Sequence, residues 1–200
     1  MLFLLAILCM ASSEVHPHSF AVTNASYDAS VTAQPSQDVV VVKGVVTHKN
    51  FGTKDGKPYV KMSLTNVTFK QGKAAAAPKK SAVREYKIDP HGIPYESHAS
   101  GREELLVISS SAGYLPDGTV ELDKEFPVKW SSGETSIDGT GVAVMEKDRV
   151  VVKIKGTYVS GGTYKYHSEC YYDKAGNVEA QDILMDDGSM PLTFKVRRKH

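Results

Sequence analysis

Five of the ten tyrosines fall between Tyr158 and Tyr172. Flat aromatic faces at that density can stack on sugar rings or line an apolar cavity. Tyr158, Tyr164 and Tyr166, with the single tryptophan Trp130, form the candidate ligand-binding set. A competing reading asks less of the chain. Tyrosine is a good strand residue, and cross-strand tyrosine pairs stabilise sheets without any ligand.

The histidines offer a second chemistry. Cleavage after Ser13 would leave a chain beginning Glu14-Val15-His16. A free α-amine, two deprotonated amides and a third-position imidazole make a square-planar nitrogen set suited to Cu(II) or Ni(II), with His18 near enough to assist. The alternative is a polar terminal arm whose histidines bind nothing. No resident cofactor is implied. His91 and His98 are seven residues apart in irregular chain, which matches no common metal spacing.

Nucleophiles are weakly indicated. Ser109-Ser110-Ser111 lacks the glycine elbow that presents a serine to its base. His167 and Cys170, three apart on a strand, point to opposite faces, so the thiol reads as a small buried hydrophobe. Glu103-Glu104 and Asp186-Asp187 are adjacent carboxylates that diverge on a strand, and Gly188 makes the second pair a turn. Lys and Arg gather at Lys70, Lys73, Lys79, Lys80 and Arg84, and again at Lys195, Arg197, Arg198 and Lys199. Solubility and edge protection are the expected roles of both groups. Asn24 and Asn66 head sequons that matter only in a eukaryotic secretory pathway.

These residues must be positioned by strands. The opening MLFLLAILCMASS suits a secretory signal peptide over 1–13, too short in its apolar run to cross a bilayer. Residues 14–36 read as an extended arm with one edge strand, and 37–200 as a single β-rich domain. Asp38 to His48 is valine-rich, Asp55-Gly56 signals a hairpin, and Tyr59 to Phe69 is the partner strand. Along that partner the apolar set switches from Val60, Met62 and Leu64 to Val67 and Phe69, predicting a bulge near Thr65–Asn66. Lys70 to Ser81 reads as a flexible Lys/Ala-rich loop.

From Val128 onward, short alternating runs are punctuated by Lys147-Asp148, Gly161-Gly162, Asp173 to Gly176 and Asp187-Gly188. Val150, Val152 and Ile154 share a face with Tyr158, opposite Arg149, Lys153 and Lys155. One dry and one wet face is the mark of an antiparallel sheet on a core. The expected class is mainly β: an antiparallel meander forming a sandwich, or an open or closed lipocalin-like barrel.

With 24 basic and 23 acidic residues the chain has no global field to steer it toward nucleic acid or membranes. No second apolar segment follows the leader, so no integral span is expected in the mature chain. The leading expectation is an exported, non-catalytic structural or interaction module, secreted, periplasmic or at the cell surface. A carrier of a small lipid or glycan in a tyrosine-lined cavity is the alternative, and a hydrolase with an unrecognised site is the third. The partner is expected to be a protein, a glycan or a small apolar ligand.

Overall fold

The computed structural model describes residues 14–15, 24–34, 38–87, 119–132 and 134–200. Thirteen strands are assigned: β1 Glu14–Val15, β2 Ala25–Ala33, β3 Val40–Lys54, β4 Lys57–Gln71, β5 Ala77–Pro78, β6 Ala82–Lys87, β7 Val120–Glu121, β8 Glu125–Ser132, β9 Thr135–Glu146, β10 Arg149–Val159, β11 Thr163–Tyr172, β12 Val178–Asp186 and β13 Leu192–Arg198. β1 and β7 pair with each other. The other eleven form one antiparallel sheet in the order β5-β4-β3-β2-β13-β12-β11-β10-β9-β8, with β6 also on β4.

Two meanders meet in this sheet. Consecutive hairpins lay β2, β3 and β4 side by side, then β8 through β13, and β13 pairs with β2 to join them. The turns are those the sequence signals: Asp55 and Lys147 take positive φ, as do Gly56, Gly161, Gly176 and Gly188. The expected meander is present, but as one open sheet. β8 ends one side and β5 with β6 the other, so among the described residues the sheet is not closed into a barrel, and of the expected forms the open meander is the one found. The reason is topological: β13 pairs with β2, and among the described residues the end strands do not pair with each other.

Register can be followed from β8 to β4, with local shifts in the β3–β4 and β11–β12 pairings. One row runs Phe126, Gly141, Ile154, Ser168, Ile183, Phe194, Val31, Val42 and Phe69, a residue from each of nine neighbouring strands. Alternation puts this row on the dry face, whose buried members form one cluster that includes Tyr27, Val46, Met62, Leu64, Val128, Val152, Tyr172 and Val178. Burying a side chain of this size is worth about 1.5–3 kcal/mol, and the sheet draws on every long strand for it.

The bulge expected in β4 is found. Lys43 pairs Thr68 while Val45 pairs Thr65, so Gly44 faces two residues, and Asn66 sits at φ 53°. The extra residue switches the apolar set so that both Leu64 and Val67 face the core. Two local expectations change. The edge strand foreseen within 14–36 is β2, which lies between β3 and β13. The Lys/Ala segment is tied back to β4 by β5, with Lys79 N donating to Val67 O at 2.8 Å. Pro78, which has no N–H to give, is tolerated at this edge.

Candidate functional site

β8 to β11 bring the aromatic set together. Trp130 pairs with Ile137, Ile137 with Tyr158, and Tyr158 with Tyr164, so three aromatic rings and one isoleucine form a single row across four strands. Tyr166 lies one row further along the same dry face, in register with Gly156 and Met185. The Tyr158 ring is centred 6.2 Å from that of Tyr164 and 6.3 Å from that of Tyr166, both tilted. Tyr166 is buried, while Trp130, Tyr158 and Tyr164 are partly buried and pack on the core. They border the buried core and keep a minor part of their surface accessible.

Backbone is close beneath them. Gly139 and Gly156 face each other in the next row, and a Cβ on either would stand 2.7 Å from the other's Cα. Only glycine permits that approach, and it brings β9 and β10 together where Tyr166 lies. Burial raises the Tyr158 phenol above its ordinary value, despite a hydrogen bond with Ser160 that works the other way. This hydroxyl is therefore a neutral donor at physiological pH.

Polar groups lie deeper on the same strands. Ser168 follows Tyr166 by two residues, and Gln181 faces Cys170. Ser168 Oγ and both amide atoms of Gln181 are buried with no hydrogen-bond partner. Such groups are uncommon in an interior and cost about 1–3 kcal/mol each. Cys170 itself is buried, and desolvation pushes its thiol up to about 12, against a lowering hydrogen bond with Tyr172. A thiol so placed has almost no thiolate and no nucleophilic character. His167, on the opposite face, sits 3.7 Å from Glu169 and away from the cysteine.

His48, which the sequence left without a role, is buried with its ring 5.7 Å from that of Tyr27. Its alternation with Val42 and Val46 was the signal for burial. His16, His18, His91, His98, Ser109-Ser110-Ser111, Glu103-Glu104, the expected strand at Leu105–Ser109 and the turn at Pro116-Asp117-Gly118 lie outside the described residues, as does the leader. Among the described residues no group of three or more His, Cys, Asp or Glu is placed to hold a metal ion. No helix there is long and apolar enough to cross a membrane.

Concavities open on the wet face among the described residues. One, of about 490 Å³, spans β13, β2, β3 and the β4 bulge, and is lined by Ser30, Lys43, Asn66, Lys195 and Arg197 among others. The second, of about 330 Å³, spans β10 to β13 and is lined by Arg149, Tyr171, Glu179, Arg197, Arg198 and His200 with Ala180. Comparison with protein-family models, with curated proteins and with solved structures finds no match.

Proposed function

We propose that the protein is an exported, non-catalytic binding module that holds a small apolar or sugar-ring ligand against Trp130, Tyr158 and Tyr164. The observation that carries this reading is the alignment of those partly exposed rings in one row of the dry face. A row of rings that served packing alone would gain most by being fully covered, because stabilisation scales with the area removed from water. Here three of the four aromatics keep part of their surface accessible while Tyr166 closes the base.

The export part of the reading rests on the leader, and the non-catalytic part on a thiol without thiolate and on the Asp186-Asp187 pair serving a turn.

Trp130 is a built-in reporter. Titrating the protein with a panel of fatty acids, sterols and short neutral oligosaccharides should change its emission for one class. Tyr158→Ala or Tyr164→Ala should then weaken binding about tenfold, the loss of roughly 1.4 kcal/mol of stacking. A flat Trp130 response across the panel, with no molecule co-purifying in native mass spectrometry, would reject the proposal. So would hydrolytic turnover abolished by one substitution.

A further inference from the structure

Solubility and edge protection are the roles expected of Lys195, Arg197, Arg198 and Lys199, but β13 has no edge to protect. It is hydrogen-bonded to β12 on one side and β2 on the other. Lys195 and Arg197 instead stand on the wet face near the middle of the sheet. Lys195, Ser30 and Lys43 are in register across β13, β2 and β3, which puts two ammonium groups on either side of one hydroxyl. Arg197 is shared by the two concavities described above, so they adjoin.

The result is a stripe across the strands. From Arg149 on β10 to Lys43 on β3 there are five strand spacings, roughly 24 Å at the usual 4.8 Å separation. The lining holds five Lys or Arg side chains and two carboxylates, with a third carboxylate, Asp182, beside Lys195 and Arg197, on a chain whose overall net charge is +1. Both lining carboxylates are already met: Asp28 by Lys199 at 3.5 Å, and Glu179 by Arg198 at 3.1 Å and His200 at 3.2 Å.

Arg197 is fixed at the junction, with Nη2 donating to Asp182 at 2.8 Å and Nη1 to the carbonyls of Val196 and Gln181. Among the described residues Arg149, Lys195 and Lys43 have no ion-pair partner, and all three are exposed. Lys43 and Lys195 flank one concavity and Arg149 stands at the far end of the other, leaving positive charge available to an external anion.

We infer that this stripe is a binding site for an acidic oligosaccharide, one bearing repeated sulfate or uronate groups. A chain of spaced anions matches cations spread over roughly 24 Å better than one compact anion does. Ser30 and Asn66, standing between the cations, suit sugar hydroxyls. Nucleic acid fits less well. It binds best where aromatic side chains interleave with the cations, and the one aromatic residue on the stripe, Tyr171, is half-buried with its hydroxyl donated to Glu169 at 2.7 Å.

The test titrates the full chain with a heparin-derived octasaccharide and an octamer of galacturonic acid, alongside neutral dextran and single-stranded DNA of equal charge. At least one acidic octasaccharide should bind in 150 mM salt and weaken as salt rises. The pair Lys43→Glu with Lys195→Glu should reduce that affinity at least tenfold. Arg149→Glu alone, at the other end, should reduce it severalfold and covers the case in which the double variant folds poorly. Lys79→Glu with Lys80→Glu, equal in charge change but outside the stripe, should alter it less than twofold. Equal loss in the control pair, DNA binding as tight as the glycans, or no acidic octasaccharide bound in 150 mM salt would each overturn the assignment.

Discussion

Gly139 and Gly156 show how much a single missing carbon can decide. A Cβ on Gly139 would stand 2.2 Å from the Lys155 carbonyl oxygen, and one on Gly156 would stand 2.1 Å from that of Asp138. Neither obstacle is a side chain that can swing aside, so β9 and β10 must separate to accept an alanine. Overfilling a packed site costs about 1–3 kcal/mol, and backbone contacts place this pair near the upper end. Gly156→Ala should lower the midpoint of thermal unfolding by several degrees and disturb Trp130 emission, since the aromatic row borders the glycine pair. An unchanged midpoint would show that the two strands can part freely. Gly141 provides a contrast: its added Cβ would meet the Phe126 ring at 2.4 Å, and a ring can tilt.

The hairpins from β8 to β13 were legible because their information is local. Alternation such as Val150, Val152, Ile154 lies within one strand, and the turn residues lie within four. Even the β4 bulge could be read, since it leaves a switch of face between Leu64 and Val67. β2 was harder. Its run Ala25–Ala33 is rich in small and polar residues, and its dry set of Tyr27, Ala29 and Val31 is modest. Ala29 faces Gly44 on one side and Val196 on the other. What marks β2 as central is therefore its neighbours, and one of them, β13, comes from the far end of the chain.

The aromatic site divides the same way: its residue types were evident, but their common row depends on the register of four strands. Hydrogen exchange separates centre from edge. Amides of β2, β12 and β13, paired on both sides, should exchange slowest, and those of β6 and β8 fastest among the long strands. Rapid exchange in β2 would contradict its pairing with β13.

Over the whole molecule, turns tie stability to pH. Asp187 is held below the usual carboxylate range by the backbone N–H groups of Met190 and Ser189. For Asp173 burial pushes upward, yet hydrogen bonds from Asn177 and Ala175 with the charge of Arg198 outweigh it and leave the group lowered. Hydrogen bonds from Lys87 to Asp55 and from Tyr59 to Glu85 lower those two as well. A depressed native carboxylate contributes stability above its unfolded value, near 4, and loses it as pH falls through the native one.

At the other extreme Tyr171 is pushed up to about 12, first by its hydrogen bond to Glu169 and then by burial. Its contribution is present below its unfolded value, near 10, and fades as pH climbs through the native one. Thermal midpoints should thus be level between about pH 5 and 9, fall below about pH 4, and fall again above about pH 10. A midpoint that rises on acidification would refute the assignment.

The seam between β2 and β13 also sets an order of events. β2 leaves the ribosome early, β13 after every other strand of the sheet, and each needs the other's flank. A nascent chain halted before residue 192 holds a naked strand flank beside a valine-rich hairpin, the surface on which chains aggregate and holding chaperones grip. Folding of this sheet is finished by its last-made strand.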